Sequence, residues 1–85
     1  MYLEIITPDK KVFEGEVVSA TFPGTKGSFQ VLTNHAPLIS TLAKGKITYV
    51  IQGQQAETIM VDGGVVEVLN NRIAVLVESL IEENA

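Results

Sequence analysis

The sequence has no cysteine, no tryptophan, a single histidine and only six basic residues, and its apolar runs are only a few residues long. Each scarcity closes a class of function. Without cysteine there is no disulfide, zinc ribbon or thiol chemistry, which fits a reducing compartment or indifference to redox state. The one histidine, His35, has no Asp, Glu or His within a few residues, so no metal-ligand set is legible. A His-paired nucleophile also needs a serine on a strand-to-helix elbow, and no helix follows any serine here. A net charge of −4 with scattered Lys and Arg supplies no basic face for phosphate, so no nucleic-acid partner is expected. No stretch approaches the ~20 apolar residues that span a bilayer. Met1-Tyr2-Leu3-Glu4-Ile5 carries no basic segment followed by an apolar one, and it is not a Ser/Arg-rich transit peptide, so no signal peptide is visible. A soluble, cytosolic chain without a cofactor is the expectation.

What is present is aliphatic. The 85 residues suffice for one domain, read as residues 1–85, and 46% of them are hydrophobic. A chain of this length buries only about 60–65% of its unfolded surface, so its core must be dense. With 6% aromatics, Val, Ile and Leu must fill that core, and β-branched side chains suit a pleated surface.

Short apolar segments alternate with turn signals along nearly the whole chain. The expected strands are Tyr2 to Thr7, Lys11 to Phe22 (bending or dividing at Gly15), Ser28 to Leu32, Leu38 to Leu42, Lys46 to Ile51, Ala56 to Val61, Val65 to Leu69 and Arg72 to Val77. Asn70-Asn71 is the strongest hairpin signal, because Asn tolerates the positive φ of tight turns. Ile47, Tyr49 and Ile51 share one face, as do Ile73, Val75 and Val77. Val65-Val66-Glu67-Val68-Leu69 is apolar on both faces, a hint that a partner covers part of the outside. Only Glu78 to Ala85 could be helical, and it is too short to stand alone. The fold class is all-β, a β-sandwich of about ten short strands in two sheets.

Two turns invite chemical readings. Gly24-Thr25-Lys26-Gly27-Ser28 superficially resembles a phosphate loop, but its spacing is short and no helix follows, so it reads as a β-turn. Lys44-Gly45-Lys46 places a lysine on a hairpin tip, as lipoyl and biotinyl carrier domains do, although Ala43 stands where those usually have an acidic residue or Met. The carrier with a modified Lys44 is kept as the alternative. His35 reads as a loop histidine bonding the backbone beside a proline, or as a partner contact.

Four stretches in this order resemble one family. They are Leu3-Glu4-Ile5-Ile6-Thr7-Pro8 with Val12-Phe13-Glu14-Gly15, the turn from Pro23-Gly24 to Gly27-Ser28-Phe29, Asn34-His35-Ala36-Pro37-Leu38, and Val61-Asp62-Gly63-Gly64-Val65-Val66-Glu67-Val68. Their combination is similar to the N-terminal β-sandwich of the epsilon subunit of bacterial F-type ATP synthases. The resemblance implies a non-catalytic rotor subunit at the foot of the central stalk, linking the gamma subunit to the membrane c-ring and coupling rotation to ATP synthesis. It implies a peripheral place on the cytoplasmic face of the bacterial inner membrane, without direct insertion. By position, Ser28, Phe29, His35, Ala36 and Pro37 become candidates for the c-ring side, and Thr7 and Ser40 for the gamma side. Many family members have Glu where Ser28 stands and Tyr-Pro-Gly-His where this chain reads Leu32-Thr33-Asn34-His35, which removes a charged ring contact at Ser28. The family usually continues into two C-terminal helices that inhibit ATP hydrolysis and in some members bind ATP. The sequence ends at Ala85, so coupling without that inhibition or nucleotide binding is expected.

Overall fold

In the computed structural model, which describes residues 1–81, the alternating segments form nine strands. They are β1 (Tyr2–Ile6), β2 (Lys11–Glu16), β3 (Ser19–Gly24), β4 (Gly27–Leu32), β5 (Leu38–Leu42), β6 (Gly45–Val50), β7 (Glu57–Val61), β8 (Gly64–Leu69) and β9 (Arg72–Val77). Glu78 to Ile81 is not helical, and the remainder of the expected tail, 82–85, lies outside the described residues. Leu80 forms an antiparallel bridge with Val61 on β7.

Hydrogen bonding runs continuously through the strands in the order β2-β1-β9-β8-β5-β3-β6-β7, with β4 on the other edge of β3. One residue pair, Gly24 with Leu42, joins β3 to β5. The sheet turns a corner there and folds onto itself as two layers, β2-β1-β9-β8-β5 and β4-β3-β6-β7. Inward positions follow the period of two in both layers. Leu3, Ile5, Val66, Val68, Ile73, Val75 and Val77 from the first meet Ala20, Phe22, Val31, Ile47, Tyr49 and Val61 from the second in one buried cluster. Each fully buried aliphatic side chain contributes about 1.5–3 kcal/mol. Phe13 and Tyr49 touch across the layers, ring centroids 4.3 Å apart.

The long second segment does divide, but two residues beyond Gly15. The Val17 N–H donates to Met1 O, and the Val18 N–H donates to Val50 O, so the chain changes layers between them. Gly15 stays in β2, where a β-carbon would stand 3.3 Å from the Phe13 ring. The expected hairpin is present: Asn70 and Asn71 both have positive φ, 53° and 61°, between the paired Leu69 and Arg72, the signature of a type I′ turn.

Burial pushes the Tyr49 hydroxyl above its ordinary value near 10, and the Glu57 carboxylate adds to the shift. The fold therefore favours the neutral phenol. That contribution is fully present below the unfolded value and is lost as pH rises through the raised folded value. Melting temperature measured across the alkaline range should fall, and Tyr49→Phe should flatten part of that fall. An identical alkaline slope in the variant would refute the assignment to Tyr49.

Candidate functional site

With Leu3, Ile5, Val66, Val68, Ile73 and Val75 turned inward, the intervening residues of β1, β9, β8 and β5 must face out. Register aligns them in rows across the layer: Ile6, Leu76, Val65 and Thr41 in one, then Glu4, Ala74, Glu67 and Ile39, then Tyr2, Arg72 and Leu69. Four of these are large apolar residues left open to solvent: Ile39 is 71% exposed, Leu76 50%, Leu69 48% and Val65 43%. Ile6, Val65, Ala74 and Leu76 line a shallow, almost wholly apolar hollow, with Glu4 and Glu67 at its side. A second shallow hollow continues the strip past Ile39 and Leu69 to Pro37.

One charge, the exposed Glu67, stands within this face between Ala74 and Ile39; the other charges gather on one flank. Lys11 lies 2.9 Å from Glu14 and 3.5 Å from Glu4. The Tyr2 hydroxyl and then Lys11 hold the Glu14 carboxyl below its usual range, and Glu14 in turn raises both Tyr2 and Lys11. The Arg72 guanidinium covers the Tyr2 ring at 4.8 Å. These groups are solvated and border the apolar strip without crossing it.

Thr7 follows Ile6 at one end of the strip, whereas Ser40 is the middle residue of β5. Their hydroxyls are already engaged: Thr7 Oγ1 donates to Lys10 O at 3.2 Å and accepts from the Asp9 and Lys10 N–H groups. Ser40 donates to Thr41 O at 3.0 Å and lies in register with the buried Val66, so it faces inward. Ser28 and Phe29 open β4, whereas His35, Ala36 and Pro37 follow its far end. Strand geometry sets the two groups more than about 10 Å apart, so they do not converge on one point but line the free edge of β4 and the loop beyond it. Phe29 turns inward onto Phe22, with ring centroids 5.6 Å apart; Ser28, Ala36 and Pro37 are exposed. His35 Nδ1 lies 2.7 Å from Ala36 O, the backbone bond read from its place beside a proline.

Apolarity on both faces of β8 marks Val65 and Leu69 in the sequence, but it does not mark Ile39 and Leu76, which lie on β5 and β9. Their signal was available: each is a large apolar residue at an odd step between inward-facing neighbours. Among the described residues no three His, Cys, Asp or Glu side chains gather as a metal site, and no helix is long and apolar enough to cross a membrane. Lys44 is exposed in the β5–β6 turn.

Comparison with known proteins places this architecture. The family described as "ATP synthase, Delta/Epsilon chain, beta-sandwich domain" matches residues 1–83. The ATP synthase epsilon chain of Chlorobaculum tepidum is 40% identical over 78 residues, which cover 92% of this chain and 89% of that one. The epsilon chain of Leptospira interrogans is 40% identical over 76 residues, 89% of this chain but 59% of its own length. A chain of the Euglena gracilis mitochondrial ATP synthase, solved as an OSCP/F1/c-ring assembly, superposes with a TM-score of 0.87 at 20% identity, covering 93% of this chain and 51% of that chain; this likeness speaks to the fold alone. None of these is a lipoyl or biotinyl carrier, and the Lys44 alternative has no support. The chain belongs to the β-sandwich family of ATP synthase delta and epsilon chains.

Proposed function

We propose that the chain is a non-catalytic rotor subunit of an F-type ATP synthase, joining the gamma subunit to the c-ring at the foot of the central stalk. The observation that carries this reading is the apolar strip formed by Ile6, Leu76, Val65, Ile39 and Leu69 on an outer sheet face. Apolar surface of this extent, broken only by Glu67, marks a face that a partner covers. Gamma is the occupant assigned to it, with Thr7 at its border; Ser40, turned to the inner face of β5, stands behind the strip and takes no direct part. The c-ring loops are assigned to the free edge of β4 and the loop beyond it, from Ser28 and Phe29 to His35, Ala36 and Pro37. The chemistry required is shape, hydrogen bonding and exclusion of water at interfaces that transmit torque. In a bacterial host the subunit then lies on the cytoplasmic face of the inner membrane, held there through the complex.

Reconstitution tests the assignment. Purified chain, gamma and detergent-solubilised c-ring should co-elute as one complex. Membranes depleted of the chain should regain proton-driven ATP synthesis when it is added back. Elution of the chain apart from gamma and ring, with no recovery of synthesis, would refute the role.

A further inference from the structure

The loop between β4 and β5 is closed by a turn in which the His35 N–H donates to Leu32 O at 3.1 Å. Its third residue, Asn34, has φ 66°, the left-handed value that a type II turn demands there and that Asn adopts more readily than most residues. Across from it stands the β8–β9 hairpin turn, whose second residue, Asn71, also has positive φ. The two side chains meet. The Asn34 backbone N–H donates to Asn71 Oδ1 at 2.6 Å, and Asn71 Nδ2 donates to Asn34 Oδ1 at 2.7 Å. Rotating the Asn71 amide by half a turn would set donor against donor and acceptor against acceptor, so the pair fixes its own orientation. The Asn71 carbonyl meanwhile accepts from the Tyr2 N–H at 2.9 Å. One residue therefore ties together the start of β1, the β8–β9 turn and the loop that presents His35, Ala36 and Pro37.

We infer that Asn71 is a positioning residue: its reciprocal amide clasp on Asn34 holds the 33–37 loop in the shape that meets the c-ring. The inference rests on the ring-side assignment made above. A loop ordered before contact loses less conformational freedom on binding, so the clasp acts as preorganisation. Its two asparagines lie 37 residues apart in the chain.

Glycine substitutions separate the clasp from the backbone that carries it. Asn71→Gly creates Asn-Gly, a favoured type I′ pair, so the hairpin stays formed while both clasp bonds disappear. Asn34→Gly keeps a residue suited to its positive φ and removes only the bond to Oδ1. Amide hydrogen exchange reports the loop, and binding to the detergent-solubilised c-ring and to gamma reports the consequence. Asn71→Gly should speed exchange at residue 34 and weaken ring binding, each by about tenfold, with gamma binding unchanged. Asn34→Gly should do less, and the double variant should match Asn71→Gly, because the second substitution has no bond left to remove. General destabilisation would instead weaken gamma and ring binding together, and that outcome overturns the proposal. Unchanged exchange at residue 34 in Asn71→Gly overturns the clasp. Faster exchange with undiminished ring binding overturns the positioning role. Wild-type chain that binds no ring at all overturns the ring-side assignment itself, which separates the two failures.

Discussion

Gly64→Ala should destabilise the domain by about 3 kcal/mol or more, a fall in melting temperature of roughly 12–24 °C for a chain of this size. A β-carbon at position 64 would stand 2.2 Å from Leu76 O and 2.9 Å from the Val77 α-carbon. Carbon–oxygen contacts of this kind ordinarily lie at about 3.3–3.6 Å, so the backbone must retreat by about 1 Å. It cannot do so locally. Gly64 pairs with Val77 on one side and with Leu42 on the other, and Leu42 is one half of the single bridge at the corner between the layers. Displacement at Gly64 therefore reaches the join on which the sandwich depends. The preceding Gly63, at φ 124°, already occupies a conformation that L side chains rarely adopt, so the turn has no slack to absorb the movement. Gly15→Ala is the contrast: its β-carbon meets the tip of the Phe13 ring, which can move aside, and stability should stay within about 1 kcal/mol of the starting value. Thermal unfolding followed by circular dichroism measures both, and an unchanged melting temperature for Gly64→Ala would refute the close approach.

The strands were legible because their signals are local. Alternation identified the inward Ile73, Val75 and Val77, and Asn70-Asn71 named its own turn type through the positive φ that Asn tolerates. The change of layer at Val17 and Val18 was not legible, because it is fixed by partners at Met1 and Val50 and not by any residue at the switch. The small Gly15 drew attention for its flexibility, whereas its role is to leave room beside the Phe13 ring. The candidate surfaces were legible in a weaker sense. The family resemblance groups Ser28 with His35 on the c-ring side, yet an extended strand lies between them and sets them at opposite ends of β4. The Asn34–Asn71 clasp joins the β8–β9 turn to the loop that crosses from β4 in one layer to β5 in the other, and its sequence shows only two residues suited to left-handed backbone.

Leu76→Glu should weaken binding to gamma at least about 100-fold, close to 2.7 kcal/mol, while the free domain stays folded. In the free chain Leu76 is 50% exposed, so a carboxylate there keeps most of its hydration. Under gamma it would lie beside Ile6, Val65 and Ala74, with Glu4 and Glu67 as the acidic groups of the same hollow. Lys11 is already shared between Glu4 and Glu14, and Arg72 lies over the Tyr2 ring two rows away. An unpaired carboxylate removed from water without a partner costs several kcal/mol, more than the apolar contact it replaces. Lys46→Glu provides the control, since Lys46 is exposed on the outer face of the opposite layer and its charge reversal should leave gamma binding within about threefold of wild type. Binding by titration calorimetry, alongside the melting temperature of each free variant, separates loss of the interface from loss of the fold. Should Leu76→Glu fail to fold, Leu76→Thr retains a strand-favouring side chain and removes apolar area without charge. Undiminished affinity in a folded variant would mean that gamma docks elsewhere and that the strip on β1, β9, β8 and β5 serves another contact.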